Sequence, residues 1–302
     1  MKLSIVVPCF NEEEALPIFY QEAEKYTKEI PADIEYCFVD DGSRDHTLEE
    51  MRRLHEQDKR VHYVSFSRNF GKEAGLLAGL ELAEGDLVVT MDVDLQDPPS
   101  LLPEVFRIVT EEGYDCAATR RSTRKGEPPV RSWFAHRFYH LINRISDVDI
   151  VDGARDFRMM NRKMVNAVIQ DAEYNRFSKG LYSWVGFSTK WMEYENVERS
   201  AGTTKWSFWK LFRYAIDGII GYSTAPLTWI AWCGSVLFTI GFIWFIADLI
   251  VSLVQGRALS LTVLIFFMGG LILLALGIIS MYLSKIYLEV KHRPVYIVRE
   301  RR

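Results

Sequence analysis

The 302-residue chain has only four cysteines, Cys9, Cys37, Cys116 and Cys233, far apart in sequence and forming no Cys-x-x-Cys or Cys/His cluster. This excludes a zinc site of the usual spacing and a disulfide framework. The thiols read instead as small buried hydrophobes in a reducing compartment. A basic excess is also missing, since 36 Lys+Arg face 40 Asp+Glu for a net charge of −4. That balance argues against a protein that coats nucleic acid. With 25% charged residues and moderate Gly and Pro content, the chain is neither disordered nor collagen-like. No 20–50-residue period recurs, so a solenoid or propeller is not indicated. Neither a Walker A sequence nor Gly-x-Gly-x-x-Gly occurs, which removes support for a P-loop or a nicotinamide site. The apolar run near the start, Leu3–Pro8, is too short for a signal peptide.

Long hydrophobic runs, by contrast, are present, and both lie near the carboxyl end. Segment 227–254 carries one charge, Asp248, and segment 259–284 carries none. About 20 apolar residues suffice for a helix to span the hydrocarbon core, so both segments are expected to be transmembrane. The short link Gln255-Gly256-Arg257-Ala258 makes them an antiparallel hairpin. Basic residues flank it: Lys205, Lys210 and Arg213 precede it. Lys285, Lys291, Arg293, Arg299, Arg301 and Arg302 follow, against Glu289 and Glu300, while the link holds Arg257 alone. The positive-inside rule then places both ends, and with them the large amino-terminal region, on the cytoplasmic side of the membrane. Segment 206–225, with Trp206, Trp209, Phe212, Arg213, Ile216 and Ile220 near helical spacing, predicts an amphipathic helix in the membrane interface.

Residues 1–205 alternate strand and helix patterns. Strands are expected at Leu3–Pro8, Ile34–Asp40, Val61–Phe66, Asp86–Asp92 and Asp115–Thr119. Helices are expected at Glu13–Glu29, Thr47–Gln57, Ala74–Ala83 and Leu101–Glu111. Such alternation implies an α/β domain with a mostly parallel, Rossmann-like sheet and helices on both faces. In these sheets the loops at the carboxyl ends of the strands build the binding site. The second strand runs into Asp40-Asp41-Gly42-Ser43-Arg44-Asp45, which suits either a site accepting hydrogen bonds from a base or ribose or a plain turn with Asp45 capping the next helix. The fourth runs into Asp92-Val93-Asp94-Leu95-Gln96-Asp97-Pro98-Pro99. Alternation along an extended chain would send Asp92, Asp94 and Gln96 to one side, a partial oxygen shell for Mg²⁺ or Mn²⁺. An EF-hand fails because no Gly and no closing Glu stand where that loop needs them. Among the scattered basic residues, Arg131, Arg199 and Lys205 lie in segments leading toward the membrane, where a phosphate could be pinned.

Taken together, Val39–Ser43, Asp92–Pro99, Ser67–Glu73, Asp156-Phe157-Arg158-Met159-Met160, Glu198–Trp206, the two terminal helices and Lys291–Val298 resemble family 2 glycosyltransferases of the polyprenyl-phosphate branch. The likeness is to bactoprenol glucosyltransferases of the GtrB type, relatives of dolichol-phosphate mannose synthase, and it runs over nearly the whole chain. The resemblance implies a GT-A catalytic domain over 1–205, the interfacial helix, and a membrane hairpin with a basic cytoplasmic tail over 226–302. It implies inverting transfer of a sugar from a nucleotide sugar to polyprenyl phosphate, with UDP-glucose ahead of UDP-N-acetylglucosamine and GDP-mannose. Carried over position by position, Pro8, Asn11, Glu12, Asp40, Asp41, Lys72 and Asp92 would meet the nucleotide sugar. Asp94 and Gln96 would hold Mg²⁺ or Mn²⁺, and Arg131, Arg199 and Lys205 the acceptor phosphate. Asp156 matches the position usually assigned as catalytic base, and a tetramer is the implied assembly. A processive synthase is disfavoured, because Gln-x-x-Arg-Trp is absent. A catalytically silent membrane scaffold is the non-enzymatic alternative.

Overall fold

The computed structural model describes residues 1–121, 143–145, 151, 153–171, 173–174, 176–194, 216, 219–220, 223, 225–255 and 262–302. Arg131, Arg199, Lys205 and all of the expected interfacial helix but Ile216, Ile219, Ile220, Ser223 and Ala225 lie outside the described residues.

β1 (Lys2–Cys9) is a β-branched, apolar run buried along nearly its whole length, as expected of a strand covered on both faces. It pairs in parallel with β2 (Asp33–Asp40) on one side and β4 (Leu87–Thr90) on the other. β2 in turn pairs in parallel with β3 (Val61–Phe66). One face of the sheet, carrying Leu3, Ile5 and Val7, packs on α1 (Ala15–Thr27), α2 (Thr47–Gln57) and α4 (Leu102–Glu111). The other, carrying Val6, Cys37 and Val88, packs on α3 (Lys72–Leu82), α5 (Arg162–Gln170) and α6 (Ser178–Trp184). The expected α/β alternation thus holds, with α2 and β3 at the boundaries read from sequence.

Beyond β4 the sheet changes direction. β5 (Cys116–Arg121) and β6 (Ala154–Asn161) run antiparallel to each other. β6 also runs antiparallel to β4, and β7 (Thr189–Tyr194) adds in parallel to β5. The full order is β7-β5-β6-β4-β1-β2-β3-β8. Because β6 pairs Arg158 with Thr90 and then Asn161 with Leu87, its first residues lie at the carboxyl edge of β4. This delivers Arg155 and Asp156 to the edge where the parallel strands end.

The fourth strand stops at Thr90, not Asp92. The backbone then turns, with Leu95 at φ 57°, a left-handed conformation that a continuing strand does not contain. Asp92, Asp94 and Gln96 are therefore set out around a turn, and the extended-chain alternation expected for them does not apply.

Helices α7 (Ala225–Gln255) and α8 (Thr262–Val290) occupy the two apolar segments and touch each other. Among the described residues one stretch, Leu271–Val290, is long and apolar enough to cross a membrane. Its Leu273, Leu274, Leu276 and Leu283 are exposed. α8 runs past the expected end at Ser284 because Lys285, Leu288 and Glu289 are good helix formers. It ends where His292 takes φ 47° just ahead of Pro294, a left-handed stop followed by a residue that cannot continue the helix.

The carboxyl-terminal tail then returns to the amino-terminal domain. β8 (Val298–Arg301) pairs antiparallel with β3. Arg52 and the Tyr63 hydroxyl both donate to Glu300, Arg52 through two nitrogens. Its charges make the sequence read as a tail, yet four residues are enough for an edge strand, and the exposed Arg299 and Arg301 discourage further pairing.

α3 lies close on β1 because Gly75 and Gly79 face the sheet. A Cβ on Gly79 would sit 2.2 Å from Val6 Cγ1, and one on Gly75 would sit 3.1 Å from Pro8 Cβ. Helix propensity alone favours Gly79→Ala by about 1 kcal/mol, but overpacking of a filled core costs about 1–3 kcal/mol. We expect the clash to win, so Gly79→Ala unfolds at lower temperature than wild type in a thermal scan; an equal or higher midpoint contradicts the close packing of α3.

Candidate active site

Three loops meet at the carboxyl edge of the parallel strands. The loop after β1 and the loop after β2 are laced together by hydrogen bonds. Asn11, held at φ 54°, donates its N–H to Ser43 Oγ at 2.9 Å, and its side-chain Oδ1 accepts from the Arg44 N–H at 2.9 Å. The Glu12 N–H donates to Thr47 Oγ1 at 2.8 Å, and the His46 N–H to Glu13 at 2.8 Å. Asn and Asp tolerate the left-handed conformation that this crossing needs. Pro8 and Asp40 lie at the ends of β1 and β2 beneath this lattice.

Asp40 and Asp41 are both buried but do different things. Asp40 accepts from the Ser43 N–H at 2.8 Å and from Ser65 Oγ at 2.6 Å. Asp41 turns to the loop after β3 and accepts from the Phe70 N–H at 2.6 Å, the Gly71 N–H at 3.0 Å and Asn69 Nδ2 at 2.8 Å. Gly42 between Asp41 and Ser43 has φ +66°, and a Cβ there would lie 2.3 Å from the Arg68 carbonyl carbon, so only glycine fits the close approach of the two loops. Burial pushes the Asp41 carboxyl up to about 6, against the opposing pull of the Phe70 and Gly71 amides.

That anchored loop leads directly into Lys72, the first residue of α3. Lys72 Nζ pairs with Asp92 Oδ1 at 2.6 Å and also with Asp156 Oδ2. One ammonium therefore bridges a carboxylate from the end of β4 and another from the start of β6. Burial opposes the charged form of each, but the mutual attraction outweighs it. Lys72 stays protonated well above the usual lysine range, and Asp156 stays ionised well below the usual carboxylate range. The backbone at Asp156 is fixed as well, since Thr90 Oγ1 donates to its carbonyl.

On the turn that follows β4, Asp94 Oδ1 accepts from the Gln96 N–H at 3.2 Å. The Asp94 carboxylate and the Gln96 amide oxygen are hard oxygen donors, both at partly exposed positions. One carboxylate plus substrate phosphates is a sufficient set for Mg²⁺ or Mn²⁺, so these residues fit such an ion. Among the described residues no group of three or more His, Cys, Asp or Glu side chains gathers into a metal cluster.

Three further residues sit under this turn, and sequence reasoning assigned none of them a role. Arg155 donates through Nε to Asp97 Oδ1 at 2.7 Å and through Nη2 to Gln96 Oε1 at 3.3 Å, and the Tyr194 hydroxyl also donates to Asp97. Asp97 is fully buried; its Oδ2 has no partner among the described residues, and burial raises its carboxyl above the usual range despite Arg155. The signal lay in the unused last acid of the Asp92–Asp97 run and in the cation next to Asp156.

The structure therefore brings Lys72, Asp92 and Asp156 into direct contact and holds Asp94 and Gln96 on one turn. It points Asp41 at the neighbouring loop. Arg131, Arg199 and Lys205 fall outside the described residues.

A mostly parallel sheet with its acidic turn and paired loops at the carboxyl edge is a Rossmann-like GT-A fold. Residues 4–169 match the family described as Glycosyl transferase family 2. Over 302 residues the chain is 42% identical to the putative glycosyltransferase CsbB of Bacillus subtilis (strain 168), covering 99% of this chain and 91% of that protein. Over 304 residues it is 41% identical to the bactoprenol glucosyl transferase of Shigella phage SfV, covering 99% and 98%. Among solved structures, mannosyl-3-phosphoglycerate synthase of Rubrobacter xylanophilus shares the fold at TM-score 0.50 and 18% identity, over 72% of each chain. The chain belongs to glycosyl transferase family 2.

The Asp41 carboxyl gives a pH test. Its folded value of about 6 lies above its ordinary 3.8, so between these limits the folded state binds more protons and the site's contribution to stability falls as pH rises. The stability advantage of wild type over Asp41→Asn should shrink by on the order of 2 kcal/mol between pH 4 and 6, read from denaturant titrations at each pH. An advantage that grows over this interval would show that the amide hydrogen bonds, and not burial, dominate.

Proposed function

We propose that this enzyme transfers glucose, with inversion, from UDP-glucose to polyprenyl phosphate at the cytoplasmic face of a membrane. The observation that carries the proposal is the Lys72 bridge between Asp92 and Asp156, placed beside the Asp94–Gln96 turn at the carboxyl edge. Full-length similarity to a bactoprenol glucosyl transferase supports the acceptor and the sugar.

The nucleotide is read as lying along Pro8, Asn11, Glu12 and Asp40, with Asp41 shaping the neighbouring loop and Asp92 at the sugar-nucleotide junction. Asp94 and Gln96 would hold a Mg²⁺ or Mn²⁺ ion, which would supply Lewis-acid stabilisation of the charge that develops on the departing diphosphate. An oxygen of the lipid phosphate bonds to the anomeric carbon from the face opposite the leaving group, while the bond from that carbon to the diphosphate breaks. The acceptor's second pKa is about 6, so at neutral pH it needs little help from a base. Asp156, kept ionised by Lys72, is a weak proton acceptor. We assign it to orienting the sugar and offsetting positive charge at the anomeric carbon. Arg131, Arg199 and Lys205 are assigned to the acceptor phosphate. α7 and α8 are read as a hairpin in the bilayer, so that the catalytic domain meets the phosphate where the lipid presents it.

Membranes holding the protein, offered radiolabelled sugar nucleotides one at a time, should pass label from UDP-glucose into the organic phase. Chelation should stop the transfer and added Mn²⁺ restore it. Label in the organic phase only from UDP-N-acetylglucosamine or GDP-mannose would change the sugar, and no lipid label from any donor would reject the reading. Asp156→Asn should lower kcat by about 100- to 1,000-fold with donor affinity little changed. Turnover at the wild-type level would remove Asp156 from the mechanism. Activity at subsaturating acceptor should rise with pH through about 6, following the phosphate, with no separate limb from Asp156.

A further inference from the structure

The carboxyl-terminal return does more than close the sheet. Tyr296 stacks on Phe66 at the end of β3, with ring centroids 4.7 Å apart and planes 20° apart. Phe66 in turn meets Phe70 edge-on at 5.8 Å. The Tyr296 hydroxyl donates to Glu81 near the far end of α3, and the Ser67 N–H donates to the Ile297 carbonyl at 3.0 Å. Val295 and Tyr296 thus complete a small apolar cluster formed by Val39, Val64, Phe66, Ala74 and Ala78. Offset or edge-on aromatic pairs of this kind hold rings in definite orientations.

Phe70 and Gly71 are the residues whose amides Asp41 holds, and Lys72 follows at once. Gly71 has φ +99°, so the chain makes a sharp turn just before the lysine. The Ser67–Gly71 loop is therefore fixed from one side by Asp41 and from the other by the aromatic row that ends in Tyr296. Few residues separate Tyr296 from the end of α8 at Val290, so the last turn of the apolar helix is tied to the same row.

We infer that Tyr296 is a positioning residue for Lys72: stacked on Phe66 and bonded to Glu81, it braces the Ser67–Gly71 loop and α3 so that the ammonium reaches Asp92 and Asp156 together. Tyr296 touches neither substrate nor reacting atoms. Its effect is to keep the bridge assembled through the ring stack on Phe66 and the bond to Glu81. This inference rests on the roles given above to Lys72 and Asp156.

The test uses the full-length protein in membranes and three variants. Tyr296→Ala removes the ring and the hydroxyl. Tyr296→Phe keeps the ring, and Glu300→Gln weakens the attachment of the same strand to Arg52 and Tyr63 without touching the aromatic row. Tyr296→Ala should lower kcat about 10- to 100-fold, the scale of a small misplacement of a reacting constellation, with the donor KM within about twofold. Tyr296→Phe should restore kcat to within about threefold of wild type, and Glu300→Gln should leave it unchanged. Hydrogen exchange at residues 67–72 should rise in Tyr296→Ala alone. A kcat for Tyr296→Ala within twofold of wild type overturns the inference, as does an equal loss in Glu300→Gln, which would mean that only strand attachment matters. Should Tyr296→Ala fail to fold, Phe70→Leu, which breaks the row one step nearer Lys72, must show the same kcat loss and the same rise in exchange. If wild type transfers no sugar, the functional reading fails. The exchange comparison then still decides whether Tyr296 braces the loop.

Discussion

The bridge from Lys72 to Asp92 and Asp156 is the interaction on which the site depends. Two carboxylates, one just past β4 and one at the start of β6, stand close enough to share one ammonium. Without the lysine they would repel each other in surroundings poorer than water, where unit charges a few ångströms apart interact by several kcal/mol at an effective dielectric of about 20. The fold makes the bridge possible in three ways. The antiparallel entry of β6 brings Asp156 to the edge where Asp92 leaves β4. The glycines on α3 let that helix sink onto β1 and β2. The buried Asp41 fixes the amides that immediately precede the lysine.

The charge at this edge also bears on the metal. Asp92, Asp94, Asp97 and Asp156 crowd the turn, and the cations among them, Lys72 and Arg155, are already paired with three of the four. A nucleoside diphosphate entering such a place would meet four carboxylates, with Lys72 and Arg155 already engaged in ion pairs. Under the proposed function, Asp94 and Gln96 on the partly exposed turn would hold a divalent ion that offsets that charge. In this view the acidic character of the amino-terminal domain and its proposed need for Mg²⁺ or Mn²⁺ are two sides of one electrostatic requirement. Arg155 then serves the protein first, since it holds Asp97 and Gln96 in register beneath the turn.

Legibility from sequence followed the strength of local pattern. The first five strands and four helices could be read because apolar spacing and turn residues agree there, and α2 and β3 were found at their observed limits. The acidic turn was found through its residue types, but its shape was not. Periodicity assumes that the strand continues, whereas Leu95 bends the chain at φ 57°. β6 and β7 escaped because Ala154–Asn161 and Thr189–Tyr194 carry several charged residues and owe their strand state to neighbours distant in sequence. The pairing of Lys72 with Asp92 and Asp156 was invisible for the same reason. Each residue could be singled out, but no spacing says that a loop after β3 meets the start of β6.

The largest revision concerns the end of the chain. Counted as a string, residues 285–302 are a basic tail beyond an apolar helix, and the positive-inside rule needs nothing more of them. In the folded protein the acids of that tail point inward, Glu300 to Arg52 and Tyr63 and Glu289 to the Tyr174 N–H, while Lys291, Arg293, Arg299, Arg301 and Arg302 remain exposed. The segment therefore presents a more positive face than its composition suggests. It also places β8 on the β3 edge, next to the Ser67–Gly71 loop that precedes Lys72. A catalytic domain joined to an apolar helix by one flexible link could adopt many heights above a bilayer. Under the proposed membrane setting, the chain's return through β8, hydrogen-bonded to β3, would remove much of that freedom.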